Sequence, residues 1–284
     1  DGALRAWVGA GLDAAAGLPG HPGSRVRAFD AAPAASVAVF ATYDSAVRAV
    51  QYGGTPTVVV LQSRGGGPGD APGATRGHAG VTSVRLSADG TTCATAAADG
   101  TARVWETATG ICRHVFAGHA PAVSIACTSF SVCGTVLLTI GTDGSALAWD
   151  AVHGGPPRPL TGPGGGAAGG RLAPDGARAL LWSAPGAGGA SVWLLATHGA
   201  PVRIAEAAQA PAGVSATAWS PCGRAASLGA PDGTLRVLRA ADGAPTGFFM
   251  ADAAVTAAAF VGAVAVAGCD DGAVHFLDVG GLDE

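Results

Sequence analysis

The chain has 284 residues and a formal net charge of −4, with 20 acidic residues against 16 basic ones, all of them arginine. No run of arginines occurs, so the sequence lacks the electrostatic footprint of a protein that binds nucleic acid or an anionic membrane. The six cysteines form no Cys-x-x-Cys pair and are not grouped with histidines, which argues against a zinc site and indicates reduced thiols in the cytoplasm. No signal peptide or membrane-spanning helix is predicted, and the most apolar stretch, 253–268, is interpreted as two short strands.

The first 75 residues contain weak strand signals. Residues 1–8 have the sequence DGALRAWV, which predicts the third strand of a repeat that lacks its first two strands, so we expect the sequence to be a piece of a longer protein. Residues 23–30 are predicted as the fourth strand of that repeat. Residues 34–62 contain three apolar runs that predict a first, a second and a third strand, although no Asp-Gly turn or tryptophan marks them. The Gly- and Pro-rich segment 63–75 is predicted as a loop.

One pattern occurs twice between Gly77 and Asp150. Each copy begins with a Gly-His pair and continues with the alternation of apolar and polar residues that is typical of strands. Each also contains an Asp-Gly dipeptide, which favours a tight hairpin turn, and ends its third apolar run with a tryptophan. Because these tryptophans, Trp105 and Trp149, are 44 residues apart, the pattern predicts two successive units of four short strands.

The rest of the chain carries weaker copies of this pattern. Residues 164–207 keep a tryptophan and the Asp-Gly dipeptide after the predicted first strand, but Gly-Ala-Gly-Gly replaces the Asp-Gly turn between the second and third strands. Residues 213–249 and 254–279 keep that turn and replace the tryptophan by Leu238 and Leu277. The turn aspartates are separated by multiples of about 40 residues, which is the length of a four-stranded propeller blade. This register predicts about seven third strands, centred near residues 4, 58, 103, 147, 192, 235 and 274.

The Gly-His, Asp-Gly and tryptophan positions resemble the repeat of the WD40 family. The resemblance implies an all-β fold, a WD40-like β-propeller of about seven four-stranded blades with incomplete terminal blades, forming a single domain over residues 1–284. It also implies a structural tie in each clear repeat, in which a histidine, a threonine, the turn aspartate and the tryptophan are joined by hydrogen bonds. These residues are His78, Thr95, Asp99 and Trp105 in the first repeat and His119, Thr139, Asp143 and Trp149 in the second.

Other patterns could indicate chemistry, and each has a structural interpretation. A histidine beside an aspartate could be a catalytic pair, but the resemblance favours the structural tie. The segment 164–169 satisfies Gly-x-Gly-x-x-Gly, yet a dinucleotide site needs a preceding strand and a following helix, and here a proline precedes and a strand is predicted to follow. Asp270 and Asp271 are adjacent, so on a strand their side chains point to opposite faces. We therefore predict no catalytic, cofactor-binding or metal-binding residues.

Large and charged side chains on the predicted strands divide into buried and exposed sets. Trp182 and Trp219 lie outside the tie positions, and we expect them in the core. Five arginines alternate with apolar residues, and we expect most of them to be solvated on blade faces: Arg85, Arg103, Arg113, Arg203 and Arg236. Because arginine is common at interface anchors, these positions are also candidate contacts for a partner.

The resemblance also implies a function, because WD40 propellers are usually platforms for other proteins. We predict a non-catalytic protein–protein interaction scaffold in the cytoplasm, with protein partners, no cofactor, no nucleic acid and no membrane. An alternative is a structural module of microtubules, cilia or centrioles that contacts tubulin or ciliary proteins. It follows from the absence of lysine and asparagine, which suggests the GC-rich genome of a flagellated eukaryote. A propeller enzyme is the less favoured alternative, since it would need histidines and carboxylates that converge at a central channel.

Overall fold

The computed structural model describes most of the chain: residues 5–7, 15–17, 25–43, 46–52, 57–61, 63–64, 75–76, 78, 80–162, 166–184, 189–195, 201–207 and 213–279. In these residues the regular structure is antiparallel β-sheet, with one short 3-10 helix at Pro33–Ala35. No helix in this part of the chain has the length and hydrophobicity needed to cross a lipid bilayer. The predicted all-β fold is therefore confirmed.

The first two complete sheets have four strands each, and every strand pairs with the next one in the chain. Sheet I contains β3 to β6, at Val26–Ala32, Val37–Thr42, Val47–Gln51 and Thr57–Val60. Sheet II contains β9 to β12, at Val81–Leu86, Thr92–Ala97, Thr101–Glu106 and Cys112–Ala117. Two smaller two-stranded sheets accompany them, formed by β1 (Arg5–Trp7) with β2 (Ala15–Gly17) and by β7 (Ser63–Arg64) with β8 (Thr75–Arg76).

Four further sheets follow the same order. Sheet III contains β13 to β16, at Ile125–Phe130, Val136–Gly141, Ala146–Asp150 and Arg158–Leu160. Sheet IV contains β17 to β20, at Gly169–Leu172, Arg178–Trp182, Ala190–Leu194 and Val202–Ala207. Sheet V contains β21 to β24, at Ala216–Trp219, Ala225–Gly229, Thr234–Arg239 and Pro245–Met250. Sheet VI has three strands in the described residues, β25 to β27, at Val255–Val261, Val264–Cys269 and Val274–Asp278.

The chain divides into two compact units. Unit 1 comprises residues 1–141 and 149–156, and unit 2 comprises residues 142–148 and 157–284. Sheets I and II belong to unit 1, sheets IV to VI belong to unit 2, and sheet III has residues in both. The single domain expected from the sequence stays a prediction.

The predicted strand order was wrong in the first part of the chain. Residues 23–30 were expected to end the first repeat, but β3 pairs with β4 and begins sheet I. The three apolar runs of 34–62 are consequently the second, third and fourth strands of that sheet, and the third strand is Val47–Gln51 rather than a strand near residue 58. The predicted loop 63–75 lies outside the described residues except for its ends, which belong to the β7–β8 pair.

Small side chains dominate the cores of both units. In unit 1, alanines and valines of sheet I pack with Val81, Val84 and Trp105 of sheet II. In unit 2, Trp219 and Leu238 pack with residues of sheet IV, and Trp182 lies partly buried against the same cluster. The two tryptophans outside the tie positions therefore contribute to the core, as expected.

Gly100 shows why a glycine is needed in the Asp-Gly turn. Its φ is +79°, and a Cβ atom there would lie 2.6 Å from the Val123 carbonyl oxygen. We expect Gly100→Ala to lower the free energy of unfolding by about 2–4 kcal/mol, because the left-handed backbone and the clash both cost energy. Gly272→Ala is the control: Gly272 has a φ of +86° but open space around its Cβ position, so only the backbone cost of about 1–2 kcal/mol should remain. Equal losses in urea unfolding would contradict this explanation.

Candidate functional site: the polar ties of sheets II and III

The first tie spans the two central strands of sheet II and is built around the Thr95 hydroxyl. Thr95 is on β10 and Trp105 on β11, and the Trp105 Nε1–H donates to Thr95 Oγ1 at 2.8 Å. His78 approaches from the segment before β9, with its Nδ1 2.7 Å from the same oxygen. All three side chains are fully buried. The hydroxyl therefore serves two buried partners that would otherwise lack a hydrogen bond.

Thr101 connects this group to the turn aspartate. His78 Nε2 lies 2.9 Å from Thr101 Oγ1, and that hydroxyl donates to Asp99 Oδ1 at 2.8 Å. The Thr101 backbone N–H also donates to Asp99 Oδ1, at 2.9 Å. His78 Nε2 is 3.7 Å from the Asp99 carboxylate, so the histidine reaches the aspartate through Thr101.

These contacts fix the tautomer of His78. Because the Thr101 hydroxyl donates its proton to Asp99, it can only accept from His78, so Nε2 carries the ring proton. Nδ1 is then an acceptor, and the Thr95 hydroxyl donates to it while accepting from Trp105. The result is one continuous chain of hydrogen bonds from the indole to the carboxylate, in which every group has its partner.

Electrostatics keeps this histidine neutral and this aspartate ionised. Burial lowers the pKa of His78; the neighbouring Asp99 opposes the shift, and Arg103 adds to it. Partial burial would raise the pKa of Asp99, but the nearby His78 ring and the hydrogen bonds from Thr101 outweigh it and lower that pKa to about 2. A general base needs a pKa near the working pH and access to a substrate. The buried and fully bonded His78 has no access to a substrate.

The Asp99 shift gives a pH prediction. A carboxylate whose pKa is lowered in the folded state stabilises the fold above its ordinary pKa and loses that contribution as the pH falls toward about 2. We therefore expect the stability difference between the wild type and Asp99→Asn to shrink as the pH falls from about 5 to about 2. Denaturant unfolding at several pH values measures this difference. A gap that stays constant over the range would contradict the assigned role of the carboxylate.

The second tie, in sheet III, has the same centre with a different ring orientation. The Trp149 Nε1–H donates to Thr139 Oγ1 at 2.9 Å, and His119 Nε2, rather than Nδ1, lies 2.8 Å from that oxygen. Phe116 packs against the Trp149 ring with 5.0 Å between centroids. Asp143 accepts hydrogen bonds from the Ser145 backbone N–H and hydroxyl, which closes its turn. The structure thus brings three of the four predicted residues together at one hydroxyl.

Two features of this region were not predicted. Thr101 is part of the first tie. A sequence signal for it was present, because a serine or threonine also lies two residues after the turn aspartate at Asp143–Ser145 and Asp232–Thr234. Arg103 was expected in solvent but is only 6 % exposed, and its guanidinium carbon lies 6.0 Å from the centroid of the Trp105 ring. The apolar face that buries Trp105 therefore buries this arginine as well.

The weaker repeats use different polar contacts. In sheet IV the Trp193 Nε1–H donates to Ser191 Oγ in its own strand, at 3.1 Å. In sheet V the tryptophan position is taken by Leu238, which is fully buried. The described part of 164–169 leads directly into β17 and not into a helix. Within the described ranges, no three side chains of histidine, cysteine, aspartate or glutamate lie close enough to hold a metal ion.

Comparison with known proteins agrees with this geometry. Residues 72–106 and 110–150 match the family model described as WD domain, G-beta repeat. A search of curated proteins found no match. Among solved structures, the chain is similar to the crystal structure of the computationally designed Ika8 protein, with a TM-score of 0.66, 18 % identity, and coverage of 91 % of this chain and 72 % of that chain. At that identity the likeness supports the fold alone. The two matched repeats, whose tie residues share their hydrogen bonds in sheets II and III, support an assignment to the WD40-repeat family.

Proposed function

We propose that this chain is a non-catalytic platform that binds other proteins. WD40 domains generally mediate protein–protein interactions. The observation that carries the proposal is the contrast within the two matched repeats. Their histidine and aspartate side chains are engaged in hydrogen bonds within the repeats, and His78 is fully buried, whereas several large apolar side chains are exposed.

Three of the exposed large apolar side chains of unit 1 lie at one end of sheets II and III. Ile111, Val132 and Val152 are 58 %, 50 % and 52 % exposed, and we call them the turn surface. They lie in or beside turns that connect first to second or third to fourth strands, and in an antiparallel sheet these turns share one end. Contacts tie the two sheets together there, from the Ala88 N–H to the Val132 carbonyl and from His114 Nε2 to the Val152 carbonyl. Such exposed apolar groups are typical of protein-binding surfaces.

Affinity capture with matched variants tests this role. The bait is the full chain, and the lysate comes from the organism that makes it. One variant carries aspartate at the three turn-surface positions. The control carries aspartate at three exposed positions of the opposite turns: Ala98, Ala120 and Pro121. We expect a set of proteins that the wild type and the control retain and the turn-surface variant loses.

The identity of the captured proteins also distinguishes a general protein-binding platform from the microtubule-associated alternative. Tubulin or ciliary proteins in the lost set would support the microtubule-associated alternative, and a cytoplasmic complex of another kind would exclude it. An eluate identical for all three baits, or one with nothing above the bead background, would contradict a turn surface that binds proteins.

A further inference from the structure

The outer edge of β27 is unpaired within the described part of the chain. In every four-stranded sheet of the described residues, the third strand pairs with a fourth; within those residues, no strand pairs with the far side of β27. The Cys269 N–H donates to the Ala273 carbonyl, and the Val279 N–H donates to the Ala263 carbonyl. The backbone groups of Ala273 and Val279, which flank β27 in the sequence, therefore point toward β26. Because antiparallel hydrogen bonds alternate along a strand, the backbone groups of Val274, Phe276 and Asp278 point to the open side.

The face of sheet VI beside this edge is apolar and uncovered. Val274, Phe276 and Val261 are 55 %, 72 % and 69 % exposed. In sheet V, the residues at the same distance after the turn aspartate are Leu235 and Val237, each only 1 % exposed. Those two residues are buried because sheet VI packs against them. Val274 and Phe276 are therefore apolar like the residues that a neighbouring sheet buries in sheet V, but they are themselves exposed.

The charged residues of sheet VI and of the segments that flank it in the sequence are all acidic. Residues 251–284 contain six of the 20 acidic residues and none of the 16 arginines. Asp252, Asp270, Asp271 and Asp278 are all exposed. Pairing of β27 with β27 of a second copy would bring these acidic groups together, which disfavours self-association. A cationic partner would instead gain from them.

We propose that β27 is a docking strand that takes an extended, basic segment of another protein as its fourth strand. Partner residues would alternate, with apolar side chains continuing the face of Val274 and Phe276 and arginine or lysine lying near Asp271 and Asp278. Backbone hydrogen bonds to the open edge supply affinity in this mode, and side chains supply selectivity. The inference rests on the proposed scaffold role and gives it a second surface and a class of partner.

Two synthetic peptides test the docking strand, one alternating valine with arginine and one alternating valine with glutamate. Fluorescence anisotropy with the full chain should show the arginine peptide binding about tenfold or more tightly than the glutamate peptide, with an affinity that falls as salt is added. Amide hydrogen exchange at Val274, Phe276 and Asp278 should be fast in the free protein and slower with the arginine peptide bound. Equal affinities, or binding with no change in exchange, would overturn the proposal.

A variant locates the binding. Phe276→Lys should weaken binding of the arginine peptide about tenfold or more, since it removes an apolar contact and adds a repelling charge. Phe248→Lys, at a similarly exposed phenylalanine of β24, should change it little. Slow exchange at Phe276 in the free monomer would overturn the proposal by showing that another part of the chain covers the edge. Self-association abolished by Phe276→Lys would overturn it in favour of a second copy. Either failure leaves the capture experiment intact, because the turn surface uses other residues.

Discussion

Trp105→Ala is expected to lower the free energy of unfolding by about 3–5 kcal/mol, the range for removing a large, fully buried aromatic side chain. The side chain has no exposed surface and packs in the core that sheets I and II share. Its removal also leaves Thr95 without its indole donor. The alanine and valine side chains around it are too short to fill the cavity that its removal would leave. Equilibrium unfolding in urea measures the loss.

Trp105→Phe separates packing from hydrogen bonding in the same site. Phenylalanine keeps most of the apolar ring but has no N–H to donate to Thr95. We expect this variant to retain more than half of the stability that alanine loses, since a single hydrogen bond contributes about 0.5–1.5 kcal/mol. A phenylalanine variant as unstable as the alanine variant would place the main contribution of Trp105 in its polar contact.

Thr95→Val should also be strongly destabilising, although it alters almost no volume. Valine is close in shape to threonine, but it leaves the Trp105 Nε1–H and His78 Nδ1 buried with no partner at this position. Each unsatisfied buried group costs about 1–3 kcal/mol, so we expect a total loss of about 2–4 kcal/mol. The loss should appear as a lower midpoint in urea with an unchanged slope.

Thr57→Val is the matched control for this substitution. Thr57 lies exposed on β6, so the same chemical change there should alter stability by no more than about 0.5 kcal/mol. A Thr95→Val protein as stable as this control would show that the hydroxyl at the centre of the first tie contributes nothing, and the tie would lose its structural role.

The sequence predicted most of the fold where turn chemistry was explicit. In sheets II and III, the Asp-Gly turns and the tryptophans marked the third strands, and β11 and β15 lie where that pattern placed them. Sheets V and VI have leucine at the tryptophan position but contain the turn aspartate, and that aspartate was sufficient to locate β23 and β27. These signals are local, because a tight turn requires particular residues at particular positions.

The order of the strands in sheet I could not be predicted, because no Asp-Gly dipeptide or tryptophan marks this part of the sequence. Its strands β3 to β6 are marked only by apolar and β-branched residues, which indicate a strand without giving its place in the sheet. Consequently, the runs that were predicted as the first, second and third strands are the second, third and fourth strands of sheet I. The burial of Arg103 was missed for a related reason: alternation shows which side chains share a face, but not whether a neighbouring sheet covers that face. The exposed face of β27 depends on the same tertiary information.

The polar side chains of the matched repeats hydrogen-bond one another, and the proposed platform role depends on this arrangement. Nitrogen NMR of the His78 ring tests it most directly. Burial lowers the pKa of this imidazole, and its contacts place the proton on Nε2. We expect the neutral Nε2–H tautomer at neutral pH and a titration that lies below the ordinary histidine pKa. A ring that titrates near its ordinary pKa, or that carries its proton on Nδ1, would contradict the account and reopen the acid–base interpretation of His78 and Asp99.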